Sequence, residues 1–284
     1  MSKADEVDVK PGKHFDLECL AKWSRESRAR VLKLTSNSKT SHVASSLSCI
    51  DLLVTIYAFK RRVLINQDSL QDIDILIFSK GHAAAAYYSV ARVFSEITEE
   101  DWSSYCKSGS NFLGHVSHDG KSCVALATGS LGHGLPFGIG LAIAKKTKGE
   151  PGVIFVIISD GECDEGTTWE SALIASHHRL GNLCVLIDRN RLQSITSTED
   201  TLALEPLTEK WSSFGWNVIE VDGHDHESIL NAIQFSIKDQ SPTCIIANTV
   251  KGKGVSFMEN DNLWHYRFPD AQTLDAALKE LDIQ

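Results

Sequence analysis

The 284-residue chain reads as an α/β protein, a doubly wound parallel sheet with helices on both faces. Three observations predict this. Residues 153–158 and 183–187 are continuously apolar, as strands covered on both faces are. The segment between them, residues 168–180, is long enough for a helix, so the three form a strand–helix–strand unit. Other strand and helix signals alternate along the chain, the order expected of a parallel sheet wound with helices.

Each element has a local reason. From residue 16 to 34 apolar side chains recur at helical spacing (Leu17, Leu20, Ala21, Leu32), and residues 47–59 read as a more buried helix. Residues 74–78 are a short apolar run expected as a strand, followed by an alanine-rich helix over 83–95. Thr98 and Asp101 form a capping box that opens another helix. Pro151-Gly152 starts the 153–158 strand. Thr167 and Glu170 are expected to cap the 168–180 helix, with Gly181-Asn182 as its stop. Strands at 217–221 and 243–250 flank a helix at 227–237.

Hydrophobic residues make up 42% of the chain, enough for one large domain over residues 16–284 behind a polar tail, residues 1–15. The net charge of -9 argues against a nucleic-acid partner, since phosphate-backbone binders present clustered Lys and Arg. No apolar stretch is long enough for a bilayer, and neither a signal peptide nor a membrane partner is expected. Seven cysteines, an odd count with no C-x-x-C pair, fit a reducing, cytoplasmic setting rather than a disulfide framework or a structural zinc site. Cys163 is read as a small motif side chain rather than a nucleophile.

In an open parallel sheet, ligands bind beyond the carboxyl ends of the strands. Two consecutive strands end there in Asp160-Gly161-Glu162 and in Asp188-Arg189-Asn190-Arg191-Leu192. Alone, Asp-Gly and Asn are turn residues. Paired at neighbouring strand ends, Asp160 and Asn190 offer a carboxylate and an amide oxygen to one point, and the turn at Leu192 a carbonyl. Those are hard oxygens of the kind Mg2+ takes, together with phosphate and water. Gly161 leaves room for a diphosphate, and the start of the following helix offers free N–H groups. Neither G-x-G-x-x-G after a strand nor a P-loop occurs.

These residues resemble a known family. Asp160-Gly161-Glu162-Cys163-Asp164-Glu165-Gly166, then Trp169-Glu170-Ser171-Ala172, closed by Asp188-Arg189-Asn190, is similar to the thiamine diphosphate motif in its transketolase version. The resemblance implies a thiamine diphosphate-binding fold of the diphosphate-binding (PP) type. It implies that Asp160, Asn190 and the Leu192 carbonyl hold Mg2+ (or Ca2+ or Mn2+ in its place), and that Gly161 meets the diphosphate. Glu162 belongs to the same cofactor-binding stretch, and Glu165 matches a glutamate at a subunit contact that couples two active sites. Ser41-His42, Ser79-Lys80-Gly81-His82, Gly114-His115, Thr128-Gly129-Ser130-Leu131-Gly132-His133-Gly134 and Lys251-Gly252-Lys253-Gly254-Val255 with Trp264-His265 resemble the family's site loops. By that match His42, His82, His115 and His265 are catalytic candidates, with His82 and His265 also at the cofactor. Gly129, Ser130 and Leu131 lie on its aminopyrimidine side.

Three departures bear on substrate identity more than on cofactor identity: Val43-Ala44-Ser45-Ser46 in place of a glycine-rich stretch, His133 in place of Gln, and His265-Tyr266-Arg267 in place of His-Gly. The family's pyrimidine-binding domain, which carries the glutamate that activates the cofactor, would follow this region, yet the sequence ends at Gln284. The expectation is therefore a split enzyme. This chain would pair with a C-terminal transketolase subunit carrying that domain, as a two-fold heterotetramer, and catalyse ketol transfer between small sugar substrates. Alternatives are one chain of another thiamine enzyme, acting on pyruvate or another α-ketoacid, and a non-catalytic cofactor-binding paralogue.

Overall fold

The computed structural model describes residues 16–65, 74–117, 123–238 and 240–283; the expected polar tail, residues 1–15, lies outside them. In chain order the elements are α1 (Leu17–Ser38), α2 (Val43–Ser48), α3 (Ile50–Ile65), β1 (Ile75–Phe78), α4 (Ala84–Val93), α5 (Glu99–Ser103), α6 (Gly134–Lys148), β2 (Ile154–Ser159), α7 (Gly166–His177), β3 (Leu183–Arg189), α8 (Thr198–Thr201), α9 (Leu207–Ser213), β4 (Asn217–Asp222), α10 (His226–Ser236), β5 (Thr243–Asn248) and α11 (Ala271–Glu280). The strands form one sheet in the order β1-β2-β3-β5-β4, and every pairing is parallel.

Alternation along the strands sorts the core into two layers. Phe155 and Ile157 of β2, Leu186 of β3 and Ile245 of β5 pack with α1, α3, α4 and α10. Ile154, Val156 and Ile158, with Val185, Ile187 and Ile246, pack with α6, α7 and α9. The central strands are thus buried on both faces, which is why their sequences are apolar without a break. Among the described residues β4 pairs only with β5, and it carries half-buried and exposed residues. The predicted α/β sheet is the one observed.

Several boundaries moved, each for a local reason. α1 continues to Ser38 and stops where Lys39 turns left-handed. The helix expected over 47–59 is two helices that break at Cys49. Thr98 and Asp101 do form the expected capping box. Thr167 and Glu170 do not: α7 starts at Gly166 with no side-chain cap, and the Thr167 hydroxyl donates instead to the Gly132 carbonyl at 2.9 Å. The capping box of this region lies earlier, between Ser159 and Glu162, and opens a short 3-10 turn over Asp160–Asp164. β5 ends at Asn248, two residues sooner than expected. α6 has no counterpart among the expected elements, since glycines at 134, 138 and 140 depress its helix propensity.

Candidate functional site

The register of β2 and β3 aligns Ser159 with Asp188, so the chain leaves both strands side by side at the carboxyl edge. Asp160 and Asn190 follow within two residues. Arg191, between Asn190 and Leu192, takes a left-handed φ of 65°, a costly conformation for a side chain of its size. Its N–H donates to Asp160 Oδ2 at 2.7 Å, which ties the two strand tips together. Asp160, Gly161, Asn190 and Leu192 line one cleft of about 230 Å³, and His42, His82, Gly129, Leu131 and His265 line it with them.

The other expected site residues sit elsewhere. Ser130 is exposed and does not line the cleft. His115 stands at the rim, its ring 5.9 Å from that of His42. Glu162 is fully buried and works as a strut. It accepts from the Ser79 hydroxyl, from the Gly132 N–H at 3.1 Å and from the Ser159 N–H at 2.8 Å, so it joins three loops behind the cleft. Glu165 lies at the start of α7, against Gly132 and outside the cleft. The first turn of α7 is also outside it, because the 3-10 turn intervenes.

The donor set at the strand tips fits a hard cation. Burial, reinforced by the Asp188 charge, pushes Asp160 up to about 6, the response of a carboxylate that lacks enough positive charge nearby. The Asn190 amide N–H points to Asp188 Oδ2 at 3.4 Å, and its Oδ1 accepts from the Leu192 N–H at 3.1 Å. The Leu192 carbonyl already faces a cation, the Lys251 ammonium at 3.1 Å. A Cβ built on Gly161 would meet nothing closer than Gln193 at 3.5 Å, so the glycine keeps cleft space open. Among the described residues no group of three or more His, Cys, Asp or Glu could hold a metal. The fit therefore rests on one carboxylate, one amide oxygen and one main-chain carbonyl, which suits Mg2+.

Three histidines converge on the opposite wall. His42 has a left-handed φ of 69° at the start of α2; its N–H donates to the His265 carbonyl at 2.8 Å, and the two rings lie 4.8 Å apart. His82 is 5.5 Å from His42. It follows Gly81, where a Cβ would fall 2.2 Å from the Thr128 carbonyl oxygen, so only glycine lets the 81–82 and 128–129 loops meet. Burial, helped by neighbouring imidazoles and by Lys80 and Lys251, lowers His42 to about 4 and His265 to about 3. Burial and the Lys80 charge hold His82 well below the ordinary histidine range. These three imidazoles are neutral at pH 7.

That neutrality has a measurable consequence. His42 takes up a proton below about 6.5 in the unfolded chain but only below about 4 in the fold. The unfolded state therefore binds more protons across this window, and stability falls as pH drops through it. His42→Asn keeps a residue that tolerates left-handed φ and removes the titration. Urea unfolding at pH 7 and at pH 4.5 gives a loss smaller than the parent's by about 2 kcal/mol, discounted for partial exposure. An identical loss would show that His42 is not held neutral.

Two buried lysines were not singled out as site residues from sequence: Lys80 lines the cleft, and Lys251 lies behind its lining residues Leu192 and Gln193. Lys80 is fully buried and pairs with Asp188. Lys251 is lowered to about 8 by burial and by Lys80, and it caps the Leu192 and Gln193 carbonyls. Their signal was position: Lys80 precedes Gly81-His82, and Lys251 opens Lys-Gly-Lys-Gly. No disulfide joins any of the seven cysteines. Burial pushes the Cys163 thiol far up, so it is inert as a nucleophile.

Known proteins are similar to this chain in sequence and in fold. The family described as transketolase, thiamine diphosphate binding domain, matches residues 22–280. A subunit of an apulose-4-phosphate transketolase from Actinobacillus succinogenes is 38% identical over 266 residues, 92% of this chain and 95% of that protein. A subunit of a 6-deoxy-6-sulfo-D-fructose transketolase from Clostridium sp. is 33% identical over 242 residues, 85% of this chain and 88% of that protein. In fold, the crystal structure of transketolase from Campylobacter jejuni superposes with a TM-score of 0.83 at 23% identity, covering 96% of this chain and 44% of that one. The Leishmania mexicana transketolase gives 0.82 at 22%, covering 93% and 41%, so the chain spans less than half the length of these solved transketolases. With the domain matched over most of its length and the strand-tip motif brought together at one cleft, the chain belongs to the transketolase family, as its thiamine diphosphate-binding domain.

Proposed function

We propose that this chain is the cofactor-diphosphate-binding subunit of a two-chain transketolase, which moves a ketol unit from a ketose donor to an aldose or related sugar acceptor. The observation that carries the reading is the meeting of Asp160 and Asn190 at adjacent strand tips, in a cleft whose far wall holds neutral imidazoles. In this reading Asp160, Asn190 and the Leu192 carbonyl hold Mg2+, and Gly161 leaves the diphosphate its place. Gly129 and Leu131 border the aminopyrimidine. Thiamine diphosphate, when bound, supplies the carbon nucleophile and the electron sink. The neutral imidazoles of His42, His82 and His265, with His115 at the rim, would then donate to or accept from sugar hydroxyls.

The partner is a second polypeptide carrying the pyrimidine-binding domain, assembled with this chain as a heterotetramer. Two relatives named as single subunits of apulose-4-phosphate transketolases support it, since they align with this chain over 95% of their own length. Their names carry a phosphorylated sugar, and another relative's a sulfonated one; an anionic sugar substrate fits this chain by extension. A cytoplasmic location belongs to the same reading, supported by seven cysteines with no disulfide among them.

The test is an assay of the purified chain, alone and with its partner, using xylulose 5-phosphate or pyruvate as donor. Alone it gives essentially no ketol transfer; with the partner it turns over xylulose 5-phosphate and not pyruvate. Robust turnover without a partner refutes the split, and consumption of pyruvate moves the chain to α-ketoacid chemistry.

A further inference from the structure

Behind the cleft lies a second cluster of charged side chains that the proposed chemistry does not use. Arg28 of α1 and Asp51 of α3 are buried and paired through two hydrogen bonds. Asp51 Oδ2 also meets His224 Nδ1 at 2.7 Å. His224 sits in the turn after β4, where its own N–H is held by Asp222 at 2.8 Å. The far ring nitrogen, Nε2, accepts from the Val250 N–H at 2.8 Å. An amide can only donate, so Nε2 carries the lone pair and the ring proton is on Nδ1, given to Asp51. Arg28 Nε donates to the Lys253 carbonyl at 3.0 Å. His226 lies behind the cluster and is satisfied by Thr55 and Ser24.

Three buried or half-buried side chains thus grip two main-chain groups, the Val250 N–H and the Lys253 carbonyl, which bracket Lys251. The Gly252 N–H is tied down as well, to the Ala44 carbonyl at 3.0 Å. Held from behind, the turn sends the Lys251 ammonium to the Leu192 and Gln193 carbonyls, at 3.1 and 2.8 Å, beneath two residues that line the cleft. That buried ammonium holds two main-chain carbonyls of the cleft wall and places positive charge directly behind the face an anionic ligand would meet.

We propose that Arg28, Asp51 and His224 are positioning residues. They clamp residues 250–253 so that Lys251 stays under the cleft-lining Leu192 and Gln193, and they thereby set the cleft's affinity for thiamine diphosphate with Mg2+. The effect on affinity rests on the cofactor reading above; the clamp itself does not.

The experiment uses the full chain and five variants: His224→Leu, His224→Gln, Arg28→Lys, Lys251→Met, and the double variant His224→Leu/Lys251→Met. Amide hydrogen exchange is read at Val250 and Gly252, and thiamine diphosphate affinity with Mg2+ by calorimetry. His224→Leu speeds exchange at both amides about tenfold and weakens affinity about tenfold, as does Lys251→Met. The double variant is no weaker than Lys251→Met alone, because both changes remove the same contact. His224→Gln carries an acceptor and a donor within reach of the same partners and restores both readouts to within about threefold. Arg28→Lys keeps the charge but gives up the planar fork; it moves both readouts in the same direction and serves if His224→Leu fails to fold. Unchanged exchange in His224→Leu and Arg28→Lys overturns the clamp. Losses that multiply in the double variant overturn its action through Lys251. If the parent chain binds no thiamine diphosphate, the cofactor reading fails while the exchange data still decide the clamp.

Discussion

Asp160→Ala abolishes Mg2+-dependent binding of thiamine diphosphate, lowering affinity by about a hundredfold or more. The carboxylate is the one charged oxygen in the proposed metal set, and a diphosphate beside a partly neutralised cation is repelled rather than held. Asp160→Asn separates this effect from folding. It keeps an acceptor for the Arg191 N–H, which Asp160 now holds at 2.7 Å, but removes the charge. Because burial raises Asp160 to about 6 in the ligand-free fold, its ionised form costs stability at pH 7, and that cost is relieved only as pH falls from 6 toward the unfolded value near 4. Ligand-free Asp160→Asn therefore melts at or above the parent's temperature at pH 7 and still binds the cofactor poorly in calorimetry. Unchanged affinity in both variants removes Asp160 from the metal set.

The strand tips were legible from sequence because parallel strands buried on two faces leave unbroken apolar runs, and the residue after such a run has little choice of direction. The apolar runs at 153–158 and 183–187 put Asp160 and Asn190 just past two neighbouring strand ends. The convergence of His42, His82 and His265 is different. Their separation along the chain carries no periodicity, and only the resemblance of whole loops brought them together. Two kinds of feature escaped. The Thr167–Glu170 cap failed because the Thr167 hydroxyl has a better acceptor across the fold, at Gly132. Contacts between distant polar residues, such as Lys80 with Asp188 or His224 with Asp51, are fixed by register and layer packing rather than by local pattern. Glu162 shows the same limit: a carboxylate inside a cofactor motif proved to be a strut between loops.

Asp188→Asn is expected to be the most destabilising of the substitutions considered, by about 3–5 kcal/mol in urea unfolding at pH 7. The Lys80 ammonium has no solvent exposure and is charge-paired by Asp188. Its other acceptors are neutral, the Ser45 carbonyl at 2.9 Å and the Ser48 hydroxyl at 3.4 Å. An amide in place of the carboxylate leaves a buried charge uncompensated, whereas Lys80→Met leaves Asp188 with the hydroxyls of Ser48 and Thr249 and costs less. The double variant Lys80→Met/Asp188→Asn recovers part of the loss, since no lone charge remains. The pH dependence has a definite sign. The Lys80 charge holds Asp188 below its ordinary range against the effect of burial, so the contribution is complete above about pH 4 and is lost as pH falls below that value. The penalty of Asp188→Asn is accordingly constant from pH 7 to 5 and shrinks in more acidic buffer. A penalty near zero at pH 7 would mean the pair is not formed. Asp188 also accepts from the Asn190 amide, which turns the amide oxygen away from the pair, and from Thr249 at the end of β5. The carboxylate that neutralises the buried lysine is thus the one that orients a proposed metal ligand, so Asp188→Asn loses Mg2+-dependent affinity even under conditions where the chain remains folded.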